Sequence, residues 1–278
     1  YILSNKKMTA RFYETALNLV KEVGELARTA VIKTKNVKIK SSDIDLVTET
    51  DQLIEKILIS RLHAEFPDHQ FIGEESIADG AKCLLTDSPT WIIDPIDGTM
   101  NFIHGFPNFC ISIALLINKV KEIGIVYNPL LDQLFTAQRN KGAFLNNKKI
   151  IVSQETELNK ALLMVEFGTS KDPEKMQNVM ENFKKIVPMA HGVRSMGSAA
   201  LNMTMVAMGA ADANFEFGIH AWDIAAGALI VEEAGGAVID PAGGPLDLMS
   251  RRVLCASTKE LALKISETLT QFYPQPRD

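Results

Sequence analysis

The sequence predicts a mixed helix-and-sheet protein, with an α+β half over residues 1–152 joined to an α/β half over residues 153–278. Three observations point there. Two segments of helical periodicity open the chain, short β-branched and aromatic segments follow, and beyond about Ser153 strands and helices alternate. No linker of biased composition separates the halves, so they are expected to share one interface.

Between Thr9 and Lys33 the apolar residues Phe12, Ala16, Leu19, Val20, Val23, Leu26, Ala27 and Ala30 recur at helical spacing. A second helix is expected over residues 50–66, with Leu53, Ile54, Ile57, Leu58 and Leu62 on one face. Pro67 ends it, because proline cannot continue a helix and restricts the residue before it. Antiparallel strands are then expected at 70–73, 91–94, 109–116, 122–127 and 133–137, punctuated by Asn128-Pro129, Gly142 and Asn146-Asn147. The second half reads as strands at 162–166, near 193, and at 213–215, 237–239 and 253–256, with helices at 173–185, 199–208, 222–234 and 259–272.

At 278 residues the chain can bury a large core, and 46% hydrophobic with 23% charged residues excludes a disordered or fibrous protein. A net charge of -5 argues against broad electrostatic binding to nucleic acid or anionic membrane. An anionic substrate would need local chemistry, for which bound cations are the obvious candidates. Cys83, Cys110 and Cys255 are widely spaced, which fits a reducing compartment without a disulfide framework. The longest apolar runs are too short to cross a bilayer. The first seven residues lack a signal-peptide core, and Met8 could be the native start. A cytoplasmic enzyme is the expectation.

The densest chemistry lies in Trp91-Ile92-Ile93-Asp94-Pro95-Ile96-Asp97-Gly98-Thr99. Two aspartates at the exit of a buried strand would repel each other and suffer desolvation unless a cation sits between them. Hard oxygen ligands favour Mg²⁺, Mn²⁺ or Ca²⁺. Gly98 lets the backbone approach closely, and the Gly98 and Thr99 amides opening a short helix would cradle a phosphate beside the metal. The competing reading makes Asp97 a helix cap and leaves Asp94 solvated.

Glu74 and Glu75 close another apolar strand; they are further metal ligands or simply an exposed charged loop. Asp223 opens a strongly apolar helix, where it either caps the helix or faces a bound ion. Thr48-x-x-Asp51 resembles a capping box; a functional Asp51 would instead accept a hydrogen bond from a hydroxyl that orients an attacking water. The five histidines show no paired ligand spacing, and none is given a role. The signatures of P-loop kinases, Rossmann dehydrogenases and serine hydrolases are missing.

Taken together, Gly73-Glu74-Glu75, Asp94-Pro95-Ile96-Asp97-Gly98-Thr99 and Trp222-Asp223-Ile224-Ala225-Ala226-Gly227 resemble the inositol monophosphatase family from Met8 onward. The stretches Gly218 to Asp223 and Gly243 to Arg252 are similar to the animal inositol-1-phosphate phosphatases. The resemblance implies a layered α-β-α-β-α sandwich, a homodimer, two or three Mg²⁺ ions and inhibition by Li⁺. It implies that Glu74, Asp94 and the Ile96 carbonyl hold one metal, that Asp94, Asp97 and Asp223 hold a second, and that Glu74 helps hold a third. Thr99 and Asp51 match a pair that orients the attacking water. Asp97, Ala199, Glu216, Asp223 and Thr169 match positions that contact the substrate, with the Gly98 and Thr99 amides on its phosphate. The expected reaction is hydrolysis of inositol monophosphates, small-molecule phosphomonoesters, by a metal-activated water. The rivals are a sugar-phosphate or nucleotide 3′-phosphatase on the same scaffold and a non-catalytic scaffold protein.

Overall fold

A computed structural model describes residues 2–33, 37–39 and 46–278. The first half comprises α1 (Ile2–Ala30), β1 (Val37–Ile39), β2 (Leu46–Thr48), α2 (Glu49–Glu65), β3 (Gln70–Gly73), α3 (Glu74–Ala78), β4 (Thr90–Asp97), α4 (Thr99–His104), β5 (Cys110–Ile117), β6 (Val120–Asn128), β7 (Gln133–Gln138), β8 (Ala143–Leu145) and β9 (Lys148–Ile150). The second comprises β10 (Leu162–Val165), α5 (Pro173–Ile186), β11 (Gly192–Arg194), α6 (Ala199–Ala207), β12 (Ala213–Phe217), α7 (Ala221–Glu233), β13 (Ala237–Ile239), β14 (Arg252–Ala256) and α8 (Lys259–Thr268).

Strands β3 to β9 form a seven-stranded sheet in sequence order, and a five-stranded sheet runs β11-β10-β12-β14-β13. Helices α1 and α2 cover the outer face of the first sheet, α6 and α7 fill the space between the sheets, and α8 with α5 covers the far face of the second. This is the layered α-β-α-β-α sandwich. Strand alternation sorts the core accordingly. Trp91, Ile93, Ile111, Ile113 and Leu115 face α1 and α2, whereas Ile92, Cys110, Ala114 and Leu116 face the central helices.

Central helices must be apolar on every side, and α7 is: its sequence buries Ala221, Trp222 and the run from Ile224 to Val231. Small residues let it sit close. A Cβ on Gly124 of β6 would lie 2.7 Å from the Ala226 carbonyl oxygen, and one on Gly227 would lie 2.9 Å from Met203 of α6. No helix among the described residues is long and apolar enough to cross a membrane.

Some expectations need correction. The β3–β4 pair is parallel, although the rest of that sheet is antiparallel. Glu74 and Glu75 do not sit in a loop but open α3. Asn146-Asn147 is a hairpin turn with both residues at positive φ, joining two short strands that the periodicity did not reveal. Helix α8 stops at Thr268, because Leu269 turns extended and the Thr270 N–H donates to Asn182 at 2.7 Å.

Candidate active site

The C-terminal ends of β3 and β4 and the N-termini of α3, α4, α6 and α7 open on one cavity of about 910 Å³. It is lined by Glu74, Asp94, Ile96, Asp97, Gly98, Thr99, Thr169, Ala199, Glu216 and Asp223. Every candidate residue named above is therefore on this cavity except Asp51, which lies fully buried behind Thr99.

Asp94 and Asp97 are three residues apart, a spacing that would put them on opposite faces of a regular strand. The ladder between β4 and β5 pairs Asp94 with Ser112 but Asp97 with Cys110, so β4 carries one extra residue there. That bulge restores the parity and turns both carboxylates into the cavity, and Pro95 sits where a ladder N–H is not required.

The two aspartates are held very differently. Asp94 accepts one backbone hydrogen bond, from the Ile96 N–H at 2.9 Å. Burial raises its pKa well above the carboxylate range, and the charges of Glu74, Asp97 and Asp223 raise it further. Asp97 instead receives the N-terminus of α6: Ser198 Oγ donates to Oδ2 at 2.6 Å, the Ala200 N–H donates at 2.7 Å and the Ala199 N–H reaches Oδ1 at 3.3 Å. Burial still pushes Asp97 up to about 6 against those donors. The capping reading of Asp97 is thus corrected in detail. Gly98, at φ 95°, caps α4, and Asp97 serves a helix a hundred residues away in the chain.

Asp223 stands in the first turn of α7 and accepts from the His220 N–H at 2.7 Å. Burial first, then the Asp97 charge, raises it to about 7. One oxygen each from Asp94, Asp97 and Asp223 lies within 4.8 Å of the others, with Glu74 acting on both Asp94 and Asp223. The charges that act most strongly on Asp94 are all negative. A cluster of hard carboxylate oxygens with no ammonium or guanidinium among them fits a hard divalent cation.

Asp51 makes the capping contact and the hydroxyl contact at once. Its Oδ2 takes the Thr48 N–H at 3.1 Å and the Thr48 hydroxyl, completing the capping box of α2. Its Oδ1 lies 3.3 Å from Thr99 Oγ1, which also reaches the Ile96 carbonyl at 3.1 Å.

Sequence reasoning missed several supporting groups. Glu55, buried on α2, accepts the Glu75 and Ser76 N–H groups at 2.7 and 2.8 Å and so fixes the first turn of α3, which begins with Glu74. A Cβ on Gly73 would lie 2.6 Å from that carboxylate carbon, so any larger residue there would push Glu55 off the α3 amides. Nothing in the local sequence distinguishes Glu55 from a solvated helix residue. Ser198 was findable as a serine preceding an apolar helix. His220 also has a role: it stacks on Trp222 with centroids 4.4 Å apart, and Asp278 accepts from the Ala221 N–H at 2.8 Å while meeting His220 Nδ1 at 2.6 Å.

Comparison with known proteins agrees with this geometry. The chain is 49% identical to inositol monophosphatase 1 of Homo sapiens over 265 residues, covering 95% of each chain. It is 47% identical to inositol monophosphatase 2 of Homo sapiens over 258 residues, 92% of this chain and 90% of that one. The solved inositol monophosphatase from Anabaena (Nostoc) superposes with a TM-score of 0.81 at 32% identity, covering 96% of this chain and 98% of that chain. The family pattern itself matches residues 8–272, and the chain belongs to the inositol monophosphatase family.

Proposed function

We propose that this chain is a Mg²⁺-dependent phosphomonoesterase that hydrolyses inositol monophosphates to inositol and phosphate. The observation that carries the reading is the Glu74, Asp94, Asp97 and Asp223 cluster, which gathers acid around Asp94, where the leading charges are all negative, beside the Gly98–Thr99 turn. Glu74, Asp94 and the Ile96 carbonyl would hold one ion and Asp94, Asp97 and Asp223 a second, with Glu74 assisting a third. Bound divalent ions ease deprotonation of water and offset charge on the phosphoryl and departing oxygens.

The protein's own groups then orient the reactants. Asp51, fixed by Thr48, and the Ile96 carbonyl compete for the Thr99 hydroxyl proton. Either bond leaves a Thr99 oxygen lone pair free to accept a hydrogen bond from an attacking water, and the bond to Asp51 gives the threonine proton a carboxylate to pass to as the water loses its own. The Gly98 and Thr99 amides receive the phosphate. Asp97, Asp223, Ala199, Thr169 and Glu216 face the alcohol portion. The enzyme works in the cytoplasm as a homodimer and is inhibited by Li⁺; the family resemblance supports these three points.

The test is phosphate release from inositol 1-phosphate with and without Mg²⁺, beside adenosine 3′,5′-bisphosphate and fructose 1,6-bisphosphate. Mg²⁺-dependent preference for the inositol ester is expected. Preference for another ester would keep the site and change the substrate, while silence on all three would overturn the enzyme reading. Li⁺ titration and sedimentation of the same preparation check inhibition and the dimer.

A further inference from the structure

Helix α5 begins with an arrangement that neither helix stability nor burial favours. Asp172 caps it, accepting the Lys175 N–H at 2.8 Å, so Lys175 stands in the first turn, where the helix dipole disfavours a cation. Its side chain runs inward to 2% exposure, and Nζ has no hydrogen-bond partner among the described residues. Leaving a buried ammonium unpartnered is costly.

The space it occupies is made by two glycines of the cavity wall, both at positive φ. A Cβ on Gly168 (φ 71°) would lie 2.3 Å from Lys175 Nζ, and one on Gly218 (φ 77°) would lie 2.9 Å from it. The ammonium thus sits directly behind the wall, at the end of the cavity that holds Thr169 and Glu216.

Glu216, on β12, has the complementary defect. It lines the cavity and is 5% exposed, and its Oε2 is buried with no hydrogen-bond partner among the described residues. Glu166, Asp223 and Asp97 repel its charge, and Lys175 attracts it. Lys175 is in turn attracted by Glu216, Asp223 and Asp172 and repelled by Arg251. Burial dominates in both groups, leaving the glutamate pKa well above and the lysine pKa below its ordinary value, and their mutual attraction limits both changes.

We propose that Lys175 is a positioning residue that acts through Glu216, a buried counter-charge that favours this carboxylate as an acceptor for hydroxyl groups of the substrate alcohol. This rests on the phosphatase reading above. It predicts a protein that tolerates a destabilising lysine for the sake of recognising a polyol.

The experiment compares Lys175→Met with the wild type on inositol 1-phosphate and on p-nitrophenyl phosphate, which has no hydroxyls to read. With Lys175→Met, KM for the inositol ester should rise roughly tenfold, the size of one charge-assisted hydrogen bond, at nearly unchanged kcat. KM for p-nitrophenyl phosphate should stay put, and Tm should hold or rise. Combined with Glu216→Gln, the variant should add no further KM increase. An unchanged KM, an equal rise on both substrates, or additive effects with Glu216→Gln would each overturn the assignment. Should Lys175→Met fail to fold, Lys175→Gln takes its place, and failure of both makes the lysine structural and ends the proposal. Wild-type inactivity on inositol 1-phosphate would instead strike the phosphatase reading itself.

Discussion

At one end of the cavity Asp94, Asp97 and Asp223 bring acid oxygens within 4.8 Å of one another beside Glu74, and the strongest charges on Asp94 are negative. At the other end a single buried glutamate, Glu216, has a lysine sealed behind the wall to oppose its neighbours. Both ends face the same problem, carboxylates removed from water, and the fold answers it in opposite ways. Around Asp94, where the counter-charge must be exchangeable, the leading charges are all negative; where it need only shape recognition it is built into a helix. Even within the acid cluster the contrast persists, since Asp97 is met by the N-terminus of α6 while Asp94 has one backbone donor.

The comparison can be broken most severely at Asp94. Asp94→Asn should lower kcat/KM by about 10²–10³ or more, the scale of removing one preorganised electrostatic group, while the metal-free Tm holds or rises. Near-wild-type turnover at saturating Mg²⁺ would end the metal assignment. Next in size is the effect of chelation. Asp97 and Asp223 titrate at about 6 and about 7 in the folded chain against a reference value of 3.8, so in between the folded chain binds protons that the unfolded chain has released. Their contribution to stability is complete below the reference value and is lost as pH rises through the folded values. Metal-free protein should therefore melt lower at about pH 8 than at about pH 5. Mg²⁺ at about a hundred times its Kd should restore roughly 5–10 °C at the higher pH. Calorimetry in EDTA and in Mg²⁺ at both pH values checks this; a Mg²⁺ shift equal at both would contradict it.

Smaller effects sharpen the picture. Ser198→Ala removes a donor to Asp97 and the cap of α6, whose Leu201 N–H lies 3.3 Å from the serine oxygen. A loss of about 1 kcal/mol in stability and about tenfold in apparent Mg²⁺ affinity is expected, read by denaturant titration and by the Mg²⁺ dependence of turnover. Thr169→Ala, at the end occupied by Glu216, should change KM for the inositol ester only a few-fold and leave Mg²⁺ dependence untouched. A changed Mg²⁺ midpoint would show that the two ends are not separate.

Much of this was legible from residue order. Asp94 and Asp97 stood out because an apolar strand running into two acids has few structural explanations, and the long helices followed from periodicity. The bulge that turns both acids to one face was not legible, since parity depends on the partner strand, although Pro95 marks the place. Helix α3 escaped because five residues are too few for a period. The parallel β3–β4 pairing escaped because neighbouring strands are not encoded locally. Glu55 and Lys175 escaped for a related reason: a charged residue on a helix looks solvated until tertiary neighbours bury it.

The central position of α7 has a consequence for how the protein matures. This helix belongs to the last quarter of the chain, yet it covers one face of a sheet whose strands end at Ile150. On the ribosome that face of the sheet stays incompletely covered until residue 233 has left the exit tunnel. Asp223 arrives with the same helix. The chain therefore acquires its fourth carboxylate in the act of closing its core, and no chain that stops short of α7 can present the complete cluster.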